Sequence, residues 1–125
     1  MVNNCKELDV WKRSVALTTE LYKLTSRFPD TERYGLCSQI RRAGTSVAAN
    51  IAEGWGRGST GDYIQFLVVA RGSLMELETH LIVACNVHLL SSDALKAFSN
   101  EIEEIGKMLN GLIGALKARK TGFRR

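Results

Sequence analysis

The feature of this sequence that most constrains its fold is an unbroken heptad pattern of apolar residues in the last third of the chain. The pattern comprises Leu95, Phe98, Ile102, Ile105, Leu109, Leu112 and Leu116, at alternating intervals of three and four residues. An α-helix places residues at that spacing on one face, and a heptad repeat favours near-parallel, left-handed packing against other helices. The pattern therefore predicts a long helix with one buried stripe.

Three clusters of helix-breaking residues divide the chain into four segments. The clusters lie at residues 28–31, 54–61 and 90–93. The segments predict α-helices over about residues 6–27, 32–53, 61–88 and 93–118, and none shows the period-two alternation of a strand. Because short connections favour antiparallel neighbours, we expect an all-α, antiparallel up-down-up-down four-helix bundle that forms a single domain over residues 1–125.

The first segment carries two neighbouring apolar stripes, which predict a broad buried face. One stripe contains Leu8, Trp11, Val15, Thr18 and Tyr22, and the other contains Leu17, Leu21, Leu24 and Phe28. At the helix starts, Asp30 or Thr31 is the expected N-cap of the second helix, and Ser59 or Thr60 that of the third.

The positive charge of the chain is concentrated in a basic C-terminal tail, residues 117–125. This tail contains Lys117, Arg119, Lys120, Arg124 and Arg125 and no acidic residue. The whole chain has 17 basic and 13 acidic side chains, so the rest of it carries 12 and 13. A basic arm favours a polyanionic partner such as RNA or DNA. Cations also suit the C-terminal end of a helix dipole, and the two interpretations are equally well supported.

A polar stripe accompanies the apolar one on the second and third helices. Its candidate residues are Ser46, Asn50, Glu53 and Gly54 on the second helix and Ser73 and Glu76 on the third. Small residues nearby let helices approach closely, so a polar helix–helix or subunit interface is the favoured interpretation, with a solvated face as the alternative. A di-metal carboxylate bundle is disfavoured because the sequence contains no Glu-x-x-His pair. No metal or cofactor is expected.

Three arginines outside the tail are further candidates for nucleic-acid contacts. Arg41 and Arg42 flank the core position Ala43, and Arg57 lies in the glycine-rich stretch at residues 54–61. Ion pairing with glutamates is an equally good explanation for the first two. The glycine-rich stretch lacks the Gly-Lys-Ser/Thr of a phosphate-binding loop and follows a helix, so it is expected to be a linker.

No recognisable catalytic centre emerges from the sequence, and we expect the protein not to be an enzyme. His80 and His88 match no zinc pattern, and Cys37 and Cys85 are expected to be small core residues. The chain shows no apolar run long enough for a membrane span and no signal-peptide pattern at its start. Cytoplasmic localisation with reduced thiols is therefore expected.

Four pieces of the sequence resemble the signature of the 23S rRNA intervening-sequence, or four-helix bundle, protein family. The main piece is residues 39–54, QIRRAGTSVAANIAEG. The others are Val10-Trp11, Phe28-Pro29 and residues 70–79, ARGSLMELET. Gly44 and Thr45 stand where the family often has Ala and Val. The resemblance spans about residues 8–85, and the fourth helix resembles the family only in its heptad pattern.

The resemblance implies an antiparallel four-helix bundle that assembles as a ring-like homopentamer. A related branch, the accessory variability determinant proteins, assists reverse transcriptases and binds nucleic acid through a basic surface. The family assigns no agreed catalytic role to the matching positions, which are Arg41, Arg42, Asn50, Glu53, Gly54, Ser73 and Glu76. We therefore expect a non-enzymatic homopentamer that associates with RNA or DNA. The alternative is an adaptor that docks another protein, such as a reverse transcriptase or a nuclease.

Overall fold

Four α-helices correspond to the four apolar segments of the sequence. In a computed structural model, which describes residues 8–122, they are α1 (Asp9–Thr25), α2 (Ser38–Trp55), α3 (Thr60–Asn86) and α4 (Ser92–Gly122). No strand occurs within that range. The predicted all-α fold is confirmed. None of these helices combines the length and apolar character that a bilayer-spanning segment needs.

Neighbouring helices run antiparallel. Between α2 and α3, Ser46 contacts Ser73 while the later Gly54 lies against the earlier Tyr63. The same inversion relates α3 to α4, since Gly61 lies beside Lys120 and the later Arg71 beside the earlier Asn110.

Contacts between α1 and α4 close the bundle. The guanidinium of Arg13 donates from Nη2 and Nε to the two carboxylate oxygens of Glu101, at 2.6 and 3.0 Å. This hydrogen bond and the negative charge of Glu101 raise the pKa of Arg13. Because consecutive helices pack together and the last returns to the first, the topology is the predicted up-down-up-down bundle.

The core is an apolar cluster to which all four helices contribute. Its fully buried members include Leu21, Ile40, Ile51, Leu67, Leu74, Leu77, Leu81, Ile102, Ile105 and Leu109. Late in α4, Ile113 is buried and the heptad residue Leu112 only partly so. A straight α-helix drifts by ~20° per heptad relative to a strict seven-residue repeat, which turns Ile113 toward the core here while the heptad residue Leu116 stays buried.

The predicted start of the second helix is wrong by six residues. Asp30–Glu32 forms a short 3₁₀ turn and Arg33–Cys37 a wide turn, and α2 itself begins at Ser38. Gly35 leaves the helical conformation, with φ −103° and ψ −113°. This backbone conformation requires less free energy in glycine than in a residue with a Cβ. Neither Asp30 nor Thr31 caps this turn, because the Glu32 carboxylate accepts the hydrogen bond from the Leu36 amide, at 3.4 Å.

The other helix ends lie within a few residues of the prediction. The Ser59 side chain caps α3 by accepting from the Asp62 amide at 3.1 Å. At the far end of α3, His88 adopts a left-handed φ of 66°, and the Leu89 amide donates to the Ala84 carbonyl at 2.9 Å. These are the features of a Schellman C-cap. The last helix continues to Gly122, so the first residues of the predicted basic tail are helical.

The close approach of α2 to α3 at Gly54 gives a stability prediction. A Cβ built at this position would lie 2.8 Å from the Phe66 Cβ and 3.0 Å from the Tyr63 Cδ1. We expect Gly54→Ala to destabilise the fold by about 1–3 kcal/mol, because the two helices must separate to admit the methyl group. Urea unfolding measures this change.

The matched control is Gly111→Ala on α4, where a Cβ would meet no atom within 4 Å. This substitution is expected to stabilise the fold by about 0.5–1 kcal/mol through helix propensity alone. Stabilisation of similar size at both positions would contradict the role assigned to Gly54.

Candidate nucleic-acid interface

Arginines and tyrosines line a concavity at the end of the bundle where α1 ends and α2 begins. We call it the arginine–tyrosine concavity. It has a volume of about 610 Å³ and is lined by Tyr22, Arg33, Tyr34, Ser38, Arg41, Arg42, Thr45 and Ser46. The lining therefore combines three cations, two phenol rings and three aliphatic hydroxyl groups, and it includes no carboxylate.

The side chain of Arg41 is held in place by contacts with α1. Its Nε donates to the Thr25 hydroxyl at 2.7 Å, and its Nη2 donates to the Tyr22 carbonyl at 3.2 Å. The guanidinium carbon lies 4.5 Å from the centroid of the Tyr22 ring, which adds a cation–π contact. Thr25 is itself fixed, since its buried hydroxyl donates to the Leu21 carbonyl at 2.8 Å. A guanidinium has five N–H donors, and these two hydrogen bonds use two of them.

The arginines of the concavity have no ion pair in the described part of the chain, as is true of most arginines there. Among residues 8–122, no carboxylate lies within salt-bridge distance of Arg33, Arg41 or Arg42. By contrast, Arg57 pairs with Glu53 at 2.9 Å. The alternative interpretation, in which Arg41 and Arg42 pair with glutamates of a neighbouring helix, finds no support within residues 8–122. The positive charge of this surface is available to an anionic ligand.

The structure does not gather the predicted basic residues into one surface. Arg41 and Arg42 line the concavity, whereas Arg57 lies in the α2–α3 connection at the opposite end of the bundle. The 16 residues between Arg41 and Arg57 correspond to roughly 24 Å along a helix. Arg57 also contacts the Phe66 ring, with its guanidinium carbon 4.9 Å from the centroid.

Lys117, Arg119 and Lys120 lie on α4 at the same end as Arg57. The Lys120 Nζ is 3.2 Å from the Cβ position of Gly61, at the start of α3. The remaining two basic candidates, Arg124 and Arg125, lie outside the described residues. Two separate basic regions result, one at each end of the bundle.

Most of the predicted polar stripe forms a helix–helix contact within the chain. The hydroxyls of Ser46 and Ser73 lie 2.8 Å apart across the α2–α3 interface. The Asn50 amide donates to the Ser46 carbonyl at 2.8 Å and to the Ser46 hydroxyl at 3.0 Å. Gly54 continues this line of close approach one turn later. Ser46, Ser73 and Gly54 therefore join α2 to α3, and Asn50 supports this contact by holding Ser46.

The two acidic members of the stripe do not join that network. Glu53 is exposed and pairs with Arg57, and Glu76 is exposed and lies 3.1 Å from the His80 Nε2. Both contacts join residues four apart in the chain, and neither reaches another helix. No three His, Cys, Asp or Glu side chains in the described part of the chain lie close enough together to hold a metal ion.

The sequence did not indicate five residues of the concavity, namely Tyr22, Arg33, Tyr34, Ser38 and Thr45. Tyr22 was assigned to a buried stripe of α1, but it is 46% exposed, and Val15 on the same stripe is also exposed. That stripe instead faces an apolar groove of about 390 Å³ between α1 and α2. The groove is lined by Trp11, Val15, Thr18, Thr19, Tyr22, Thr45, Ala48, Ala49 and Ala52. For Arg33 and Tyr34, the sequence indication was their position directly before Gly35, where a helix can be interrupted and its side chains exposed.

The Ser46–Ser73 contact provides a second stability prediction. We expect a double-mutant cycle with Ser46→Ala and Ser73→Ala to give a coupling free energy of about 0.5–1.5 kcal/mol, the usual net value of one hydrogen bond. Urea unfolding of the two single variants and the double variant measures it. The control is a double-mutant cycle on Glu76 and His80, which are four residues apart on α3. Its coupling free energy should be below about 0.5 kcal/mol. Additive effects of the two serine substitutions would contradict the proposed contact.

Comparisons with known proteins agree with this architecture. The chain is similar to a crystal structure of a protein of unknown function from the S23 ribosomal protein family of Bacteroides thetaiotaomicron. The two share 26% sequence identity and superpose with a TM-score of 0.75 over 83% of this chain and 97% of the other. Among curated proteins, none matches. The family model of the 23S rRNA-intervening sequence protein matches residues 6–111. The chain therefore belongs to the 23S rRNA-intervening sequence protein family.

Proposed function

We propose that this protein is a non-enzymatic homo-oligomer that binds nucleic acid through the arginine–tyrosine concavity. The observation that carries the proposal is the set of three arginines without carboxylate partners, which shares one concave surface with two tyrosines. Arginine matches phosphate geometry through paired N–H donors, and aromatic rings contact bases. The second basic region, on α4, extends the positive surface available to a long polyanion.

The proposed binding is mainly electrostatic. Each phosphate contact displaces condensed counterions, so the logarithm of the binding constant falls with the logarithm of the salt concentration by about 0.7 per contact for single strands and 0.9 for duplex DNA. Contacts by Arg33, Arg41 and Arg42 together would give a slope of about −2 to −3 per concavity. Oligomerisation would bring several concavities to one strand and raise the overall affinity through effective concentration.

Self-association is supported by the unusual outer surface of α3. Four apolar residues of this helix, which we call the α3 outer face, are between 42% and 51% exposed: Val69, Met75, Ile82 and Val83. The opposite side of α3 is buried in the core of the bundle, so this helix is apolar on both sides. Helices of that kind are usually covered on both sides. A second copy of the chain is the proposed partner, and the family resemblance favours a homopentamer.

A salt titration tests the nucleic-acid proposal. Fluorescence anisotropy with labelled 20-nucleotide single strands and duplexes, between 50 and 200 mM KCl, should give a negative log–log slope for the unmodified protein. The double variant Arg33→Ala/Arg42→Ala removes two exposed cations and should reduce the slope by about 1.4–1.8. The matched control, Lys12→Ala/Lys96→Ala, removes the same charge from exposed positions on α1 and α4.

Two outcomes would contradict the proposal. Absence of binding to both single strands and duplexes at 50 mM KCl would remove nucleic acid as a ligand. An equal change of slope in the two double variants would show that net charge, and not the concavity, determines binding.

The native mass tests self-association. Light scattering should give a particle several times heavier than the 13.8 kDa chain, with five copies expected. Met75→Glu/Ile82→Glu should dissociate it, because two charges would be buried in the contact. Ala115→Glu, at an exposed position on α4, is the control and should leave the mass unchanged. A monomeric unmodified protein would contradict this part of the proposal.

The second candidate function is an adaptor that docks another protein, such as a reverse transcriptase or a nuclease. The apolar groove between α1 and α2 favours it, because its floor of Ala48, Ala49 and Ala52 allows close approach of a partner helix. This candidate is preferred if the assembled particle binds no nucleic acid. In that case, partner binding should survive deletion of residues 117–125.

A further inference from the structure

We infer that the arginine–tyrosine concavity is specific for single-stranded nucleic acid and stacks one unpaired base on Tyr34. This inference rests on the proposed nucleic-acid function and adds the class of ligand. It is carried by the exposure of Tyr34, by the fixed position of Arg41 and by the concave shape of the surface.

Tyr34 is the most exposed large apolar side chain in the described residues. It exposes 88% of its surface, whereas the next most exposed, Val87, exposes 53%. The cause is local, because Gly35 interrupts the helical path directly after Tyr34 and a continuous helix begins only at Ser38. The tyrosine ring is thereby presented to solvent beside cations of the concavity. An accessible aromatic ring next to a positively charged surface is the arrangement with which proteins bind unpaired bases.

Arg41 and Tyr22 form a second flat element of the same surface. The two are stacked at 4.5 Å, and the Thr25 hydroxyl and the Tyr22 carbonyl restrain the guanidinium. A side chain already held in one conformation loses little entropy when a ligand binds. Arg41 can therefore contact a phosphate or stack with a base without rearrangement, while the exposed Arg33 and Arg42 adjust to the backbone on either side.

The shape of the site favours a single strand over a duplex. In a duplex the faces of the bases are covered by their stacked neighbours, so a tyrosine cannot reach them without unstacking. Proteins that read base edges in the major groove of duplex DNA insert a helix or a two-stranded ribbon, which is a convex surface. Here the first turns of α2 line the bottom of a concavity, so this part of the helix cannot be inserted into the groove of a duplex. A strand with unstacked bases can follow the concavity and place one base on Tyr34.

The test compares Tyr34→Ala with Tyr34→Phe on three probes of equal length: oligouridine, oligodeoxythymidine and a mixed-sequence DNA duplex. Loss of one stacked base should weaken binding of the single-stranded probes by about 5- to 150-fold in Tyr34→Ala. Binding of the duplex should change by less than about twofold, since its bases never reach the ring. Tyr34→Phe keeps the ring and should bind as the unmodified protein does. Because Tyr34 packs against little, both variants should unfold at the same temperature as the unmodified protein.

A crosslinking experiment gives an independent readout. Oligouridine that carries 5-bromouridine should, on irradiation, attach to the peptide that contains Tyr34, and mass spectrometry identifies that peptide. Attachment confined to peptides of α4 would overturn the inference, because the base would then lie at the opposite end of the bundle.

The outcomes separate this inference from the proposed function. If the unmodified protein binds single strands and duplexes equally and Tyr34→Ala changes neither, single-strand stacking is excluded while nucleic-acid binding stands. If no probe binds, the proposed function fails and this inference fails with it. A preference for one of the two single-stranded probes that is lost in Tyr34→Ala supports the inference. It also shows whether the preferred ligand is RNA or DNA.

Discussion

The close approach of α2 to both of its neighbours is the constraint on which the rest of the bundle depends. On one side, a Cβ at Gly54 would lie 2.8 Å from the Phe66 Cβ of α3. On the other side, a Cβ at Gly44 would lie 3.0 Å from the Leu21 Cδ1 and 3.2 Å from the Thr18 hydroxyl of α1. At Gly54 the close atom is a Cβ, which cannot move without the α3 backbone, so glycine is needed there. At Gly44 the end of the Leu21 side chain can shift to admit a methyl group, so glycine is favoured there without being required.

The same constraint determines which face of α2 remains accessible. Its core residues face the bundle interior, and Ser46, which Asn50 holds in place, contacts Ser73 of α3. The arginines are left on the side that faces solvent beyond the end of α1. Because α1 approaches closely, the Thr25 hydroxyl reaches the Arg41 Nε at 2.7 Å. The packing that forms the bundle therefore also fixes the cation at the centre of the concavity.

The sequence predicted the fold well because helical periodicity is a local property. The heptad of α4 and the breaker clusters located all four helices, and errors arose where one residue changed the local outcome, as Gly35 does at the start of α2. The candidate site was predicted only in part, for a different reason. Periodicity identifies residues that share a face of one helix, but it does not say which helix stands beside that face. Arg41 and Arg42 were found on that basis, whereas Tyr22 was placed in the core.

The net charge of the chain likewise does not reveal where the candidate site lies. The net charge of +4 arises from residues 117–125, which made the C-terminal segment the natural first candidate for a polyanion site. The three arginines of the concavity lie at the other end of the bundle, in a part of the chain whose basic and acidic residues nearly balance. At physiological ionic strength, charges are screened over about 8 Å, far less than the roughly 24 Å that separate the two regions along α2. Each region therefore acts on a ligand through its own local geometry. At the concavity, that geometry includes aromatic rings as well as cations, and this combination is the basis of the proposed preference for single strands.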